Sequence, residues 1–100
     1  MTPGWILRSV DDDPVVLRVQ GGSVKTVGRG ARADFVLEAA LVSRLHCRLT
    51  AEPSRQLIVE DLESTNGTFV NGRRVGTATL AAGDTLRVGR VELSVNKETA

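Results

Sequence analysis

One cysteine, Cys47, and one histidine, His46, stand side by side in a chain of 100 residues. A lone cysteine cannot close an internal disulfide, which excludes a small secreted scaffold stapled by such bridges. The pair also falls short of the roughly four ligands of a usual zinc site, so neither metal nor cofactor is expected. A charge excess of one sign is lacking too: 13 Lys and Arg against 12 Asp and Glu leave +1. That is far from the basic surplus of a domain that lives on nucleic-acid backbone, although a local basic cluster is compatible with it. Apolar runs are broken by charge well short of the ~20 residues a membrane helix needs. The start, Met1-Thr2-Pro3-Gly4, carries no basic run followed by an apolar stretch, so no signal peptide is expected. The chain reads as soluble, intracellular and away from membranes. Its length suits one compact domain, 1–100, and leaves no room for two.

What is present speaks mostly in period two. Val15, Leu17 and Val19 alternate with Val16 and Arg18; Leu57 and Val59 with Ile58 and Glu60; Leu86 and Val88 flank Arg87; Val91, Leu93 and Val95 alternate with Glu92, Ser94 and Asn96. Exchange at every second position marks strands with one face inward. Turn signals separate them, at Asp13-Pro14, Gly21-Gly22, Pro53-Ser54, Asn66-Gly67, Asn71-Gly72 and Gly83-Asp84. Asn71-Gly72 is a strong hairpin signal, because both residues tolerate the positive φ of a type I′ turn. Many short strands at this spacing imply a sandwich or barrel.

One segment argues otherwise. From Ala31 to Leu49 the chain is rich in Ala and Leu, with Leu37, Leu41, Leu45 and Leu49 at every fourth position, and local propensity favours a helix. It follows Gly28-Arg29-Gly30-Ala31-Arg32-Ala33, which fits the G-x-G-x-x-A form of a dinucleotide-binding turn. A dinucleotide-binding enzyme fragment is therefore one alternative. Against it, everything after Leu49 reads as hairpins without a second helix, and no acidic residue is placed at the end of a second strand.

An enzyme reading of Ser43, His46 and Cys47 also fails on geometry. With Leu45 to Ala51 as a strand, His46 and Cys47 point to opposite faces, and no acid is fixed near Ser43 and His46 to orient a nucleophile. His46 is better suited to bracing a loop through backbone hydrogen bonds, and Cys47 to filling the core. Three polar loops remain: Gly28-Arg29-Gly30, Leu41 to His46, and Glu63 to Thr68. Loops at one end of a sandwich gather distant residues into one patch. Two arginines, two hydroxyls and an amide suit a doubly charged oxyanion, since Arg donates a bidentate fork and Asn pairs with peptide backbone through both amide atoms.

Taken in order, Gly28-Arg29, Ser43-Arg44-x-His46, Ser64-Thr65-Asn66-Gly67-Thr68-x-x-Asn71-Gly72 and Gly83-Asp84 resemble the forkhead-associated (FHA) domain, over a core of about residues 24–95. The resemblance implies an all-β sandwich of about eleven short, mostly antiparallel strands with binding loops at one end, and makes the stretch from Ala31 to Val42 loop and short strand. It implies a non-catalytic phosphothreonine-peptide-binding module for phosphorylation-dependent signalling, such as DNA-damage or kinase signalling, in the nucleus of a eukaryote or the cytoplasm of a bacterium. By that likeness Arg29 and Ser43 are phosphate ligands, Arg44 and Thr65 contact phosphate or adjacent backbone, and Asn66 grips the peptide main chain. His46 is the bracing residue; Gly28, Gly67, Asn71 and Gly72 support the site's backbone; Arg32 lies outside the motif. The expected partner is a phosphothreonine protein, bound by a monomer that is the N-terminal module of a longer protein. Hydroxyls such as Thr2, Thr26, Thr77 and Thr99 are candidates for phosphorylation and capture by another copy. A sandwich that binds a partner with its phosphate pocket unused is the remaining alternative.

Overall fold

The computed structural model describes residues 4–10 and 14–98. Thr2 and Thr99 lie outside them, as does Asp13 of the Asp13-Pro14 turn. Eleven strands are found among the described residues and no helix: β1 (Gly4–Ser9), β2 (Val16–Val19), β3 (Val24–Gly28), β4 (Phe35–Val36), β5 (Cys47–Ala51), β6 (Leu57–Asp61), β7 (Thr68–Val70), β8 (Arg73–Val75), β9 (Thr77–Leu80), β10 (Thr85–Val88) and β11 (Val91–Glu98). They form a six-stranded sheet, β2-β1-β11-β10-β7-β8, and a five-stranded one, β4-β3-β5-β6-β9. All pairings are antiparallel except β3 with the two-residue β4.

The alternation in sequence is what turns one face of each sheet inward. Leu17, Val19, Leu57, Val59, Leu86, Val88, Leu93 and Val95 are buried, while Arg18, Val16, Glu92 and Asn96 beside them are exposed; Val15, expected to face inward with Leu17, is exposed because it precedes the start of β2. Each fully buried Leu or Val stabilises the fold by about 1.5–3 kcal/mol before entropy is counted. β1 follows the same rule, with Trp5, Leu7 and Ser9 buried around Ile6 and Arg8. It lies between β2 and β11, a strand that the alternation reading above does not single out.

The stretch from Ala31 to Leu49 is not helical. Leu37 and Leu49 are buried in the core, but Leu41 and Leu45 are 42% exposed, so the fourfold spacing does not mark one buried face. Leu37 donates its N–H to the Gly28 carbonyl (2.8 Å) and follows β4 beside β3. Tertiary pairing has overridden helix propensity, as it often does. Strand β5 also begins at Cys47 rather than before His46, which leaves His46 in the loop.

The β7–β8 turn has Asn71 at φ 51° and Gly72 at φ 82°, both left-handed as type I′ requires. Asn71 does more than turn. Its Nδ2 donates to Asp84 Oδ1 (3.0 Å), its Oδ1 accepts from Thr85 N–H (2.9 Å), and its own N–H donates to the Thr85 carbonyl (2.8 Å). The Asp84 carboxyl is held below its ordinary value by the Ala81 N–H and then by the Asn71 amide. Replacing Asn71 with Ala removes two side-chain bonds and sets a Cβ residue without amide help at positive φ. The expected cost is about 2 kcal/mol, read as a lower urea midpoint with an unchanged slope.

Candidate functional site

The site is assembled by backbone contacts between the loops that follow β3, β4 and β6. Gly28 closes β3, and a Cβ there would stand 2.0 Å from the Arg44 carbonyl oxygen; only glycine lets the loops approach this closely. Beyond it the Arg29 N–H donates to the Ser43 carbonyl (2.9 Å) and the Gly30 N–H to the Arg44 carbonyl (3.0 Å). Arg29 is aimed by its own side chain, whose Nε–H donates to the Val42 carbonyl (3.0 Å). Its outer guanidinium nitrogens make no hydrogen bond to the described residues, and no described carboxylate lies within 4.0 Å. An exposed, aimed and uncompensated guanidinium is prepared for an anion.

His46 locks the second loop to the third. Its imidazole is completely buried. Nδ1 accepts the Ser43 N–H (3.0 Å), so the ring hydrogen sits on Nε2, which donates to the Gly67 carbonyl (2.7 Å). The His46 backbone is fixed as well, N–H to the Val27 carbonyl (2.8 Å) and carbonyl to the Leu62 N–H (2.9 Å). Two more bonds cross between the loops. The Thr65 N–H donates to Ser43 Oγ (3.1 Å), leaving the hydroxyl proton of Ser43 to donate outward, and Asn66 Nδ2 donates to the Leu41 carbonyl (3.2 Å), leaving Oδ1 open.

Gly67 has φ 91°, which strains any residue with a Cβ, and a Cβ there would also crowd the Arg74 side chain at 3.0 Å and the Phe69 ring at 3.1 Å. Below this turn Asp61 anchors the loop. Its Oδ1 accepts from the hydroxyls of Ser64 (2.5 Å) and Thr68 (2.7 Å), and its Oδ2 from the Ser64 N–H (3.2 Å). Ser64 Oγ in turn accepts the Gly67 N–H (3.0 Å). Partial burial pushes the Asp61 carboxyl upward, but the hydrogen bonds from Ser64 and Thr68 outweigh it and hold it below the ordinary carboxylate value.

Arg29, Ser43, Thr65 and Asn66 thus line one open cleft of about 730 Å³, whose other wall is Glu38 to Val42. The structure brings together four of the five residues expected to touch ligand. Arg44 is exposed and outside that lining; its backbone and Cβ pack on Gly30. The supporting contribution of Asp61 was not legible as such, although its spacing to Ser64 and Thr68 is in the sequence. Glu38, a carboxylate in the cleft wall, was also unforeseen. Catalysis finds no support in the thiol: burial, and next the charge of Asp61, push Cys47 up to about 12, so at neutral pH it is not a thiolate nucleophile.

Comparison with known proteins agrees with this architecture. The FHA domain model matches residues 25–89, and the chain belongs to that family. It is 34% identical over 92 residues to zebrafish E3 ubiquitin-protein ligase rnf8, covering 85% of this chain and 19% of the relative. It is 38% identical over 90 residues to FhaA of Mycobacterium tuberculosis, covering 81% and 17%. The chain therefore spans under a fifth of either protein. Among solved structures, one from a study of phosphothreonine-dependent FHA domain interactions superposes with a TM-score of 0.88 at 32% identity, covering 97% of this chain and 99% of that one. The FhaA FHA domain complexed with the intracellular domain of Rv3910 gives 0.84 at 34%, covering 92% and 99%.

A depressed carboxyl contributes stability that is present above its unfolded value, about 3.9, and lost as pH falls through the lower folded value. Asp61→Ala is expected to cost about 2 kcal/mol at pH 7. The gap between wild type and variant should narrow only below about pH 4, as urea midpoints at pH 7, 5 and 3 will show.

Proposed function

We propose that this chain is a non-catalytic module that binds phosphothreonine peptides, carried by the convergence of Arg29, Ser43, Thr65 and Asn66 on one cleft. A phosphate near pH 7 bears about −1.5 to −2 charges and three acceptor oxygens. The unpaired guanidinium of Arg29 and the free hydroxyl proton of Ser43 are donors for it, with the Thr65 hydroxyl beside them. Bonds to a charged group contribute roughly 1.5–3 kcal/mol each, less the desolvation of phosphate and arginine. Two or three such contacts separate a phosphorylated from an unmodified peptide by orders of magnitude. The open Oδ1 of Asn66 suits a peptide N–H as its donor, and Arg44, outside the cleft lining, is left a peripheral contact.

The wall from Ala39 to Val42 supports a preference for threonine, because it offers apolar surface to the γ-methyl. One methyl is worth about 0.8 kcal/mol, roughly fourfold in affinity. The partner is accordingly a phosphothreonine protein. The relatives carry the matching segment within much longer chains, which favours a recognition module serving a larger protein. The unused-pocket alternative has less support, because no described carboxylate, Glu38 of the cleft wall included, lies within 4.0 Å of the Arg29 guanidinium.

Calorimetry with a phosphothreonine peptide and its dephosphorylated control tests this. Arg29→Ala should lower affinity by about a hundredfold with an unchanged unfolding midpoint; unchanged affinity removes Arg29 from the site. Asn66→Ala should weaken binding about tenfold while the requirement for phosphate persists, and an unaffected affinity removes Asn66.

A further inference from the structure

The outer face of the β7–β8 hairpin carries a second cationic feature that adjoins the cleft. Phe69 on β7 stands in register with Arg74 on β8 and, across the other edge, with Arg87 on β10. Residues opposite one another in an antiparallel pair share a face, and the inward residues of this sheet, Thr68, Leu86 and Val88, are fully buried. Arg87 stacks on the ring of Phe69, its guanidinium carbon 3.9 Å from the centroid. Arg74 lies against Gly67, with its Nε 3.0 Å from the place a Cβ would take. Gly67 follows Asn66 directly, so the cation of Arg74 begins one residue from the amide that lines the cleft.

Arg74 is exposed and has no carboxylate within 4.0 Å among the described residues, where the ion pairs are Arg18–Glu98 and Arg48–Glu60. Glu92 is in register with Arg87 at the far end of the row but forms no ion pair with it. The strip therefore has an uncompensated cation at the end nearest the cleft and an acid at the end away from it. A chain gripped at Asn66 and continuing over Gly67 meets Arg74 next.

We propose that Arg74, with Arg87 held on Phe69 behind it, forms a second subsite that binds acidic side chains flanking the phosphothreonine of the same partner. The proposal rests on the phosphopeptide reading above. Two observations favour this occupant: continuity of the strip with the Asn66–Gly67 turn, and its charge, which is complementary to Asp and Glu. Such exposed pairs add modest affinity but marked salt dependence and selectivity.

The test uses three phosphothreonine peptides: one with neutral flanks, one with two Glu on the N-terminal side, and one with two Glu on the C-terminal side. Wild type should bind one of the acidic peptides roughly three- to fivefold more tightly than the neutral one, and that advantage should shrink in 0.5 M salt. Arg74→Gln should erase the advantage and leave the neutral peptide unaffected; Arg87→Gln should reduce it. An acidic preference that survives Arg74→Gln overturns the proposal, as does an equal loss for neutral and acidic peptides, which would make Arg74 a support of the cleft. Failure of wild type to bind the neutral phosphopeptide while Arg29→Ala changes nothing would instead overturn the reading on which the proposal rests.

Discussion

The buried imidazole of His46 is the constraint on which the site depends. Ser43 and Gly67 are far apart in sequence, and neither loop is shaped by regular pairing of its own. One ring, accepting from the Ser43 N–H and donating to the Gly67 carbonyl, sets the distance between them. It can do so only because the ring has no freedom, being fully buried with both its backbone groups bonded to neighbouring segments. With that distance fixed, the bonds from Thr65 to Ser43 and from Asn66 to Leu41 close the third side. The polar tips are then held before any ligand arrives, which lowers the ordering cost of binding.

Holding them this way stores strain. Leu41 and Glu63, in the second and third loops, both adopt the left-handed region, at φ 71° and 56°. For residues with a Cβ that conformation costs of order 1 kcal/mol or more. The Leu41 carbonyl is held by Asn66 and the Val42 carbonyl by Arg29. Two side chains that face the cleft thus also hold the strained loop, so the strain is countered by the groups that need the loop's shape. The sandwich beneath supplies the rest: β3 ends in Gly28, β6 ends in Asp61 and β5 begins directly after His46, all on a well-packed aliphatic layer.

Much of this was legible because the physics is local. Alternation located four of the eleven strands, β2, β6, β10 and β11, and the turn at Asn71-Gly72 followed from two residues that accept positive φ. The linear order of Arg29, Ser43, Thr65 and Asn66 marked the loops. What escaped was decided by contact across the chain. The stretch from Ala31 to Leu49 has helical propensity, and only the family resemblance made Ala31 to Val42 loop and short strand, as it is; the Gly28 carbonyl and the edge of β3 claim Leu37 and Val36. Strand β1 carries the expected alternation, but nothing in its own sequence says that it lies in the middle of a sheet. Asp61 reads as one more acid at a strand end until Ser64 and Thr68 fold over it, and the separation of Arg44 from the cleft depends on how its backbone packs on Gly30.

The glycine run at Gly28 shows how a sequence signal can be physically right and chemically misassigned. In a dinucleotide-binding turn, glycine allows backbone to approach a pyrophosphate, and the helix that follows supplies N–H groups for the anion. Here the same bare Cα is needed for a close approach, but to the Arg44 carbonyl, and no helix follows. The N–H groups of Arg29 and Gly30 are consumed by the carbonyls of Ser43 and Arg44 and cannot cradle a phosphate. The proposed anion contacts therefore fall to side chains, and Arg29 is suited to one because those backbone bonds fix its Cα beside the cleft. The motif codes for proximity between two segments; the residue between its glycines determines the chemistry made from that proximity.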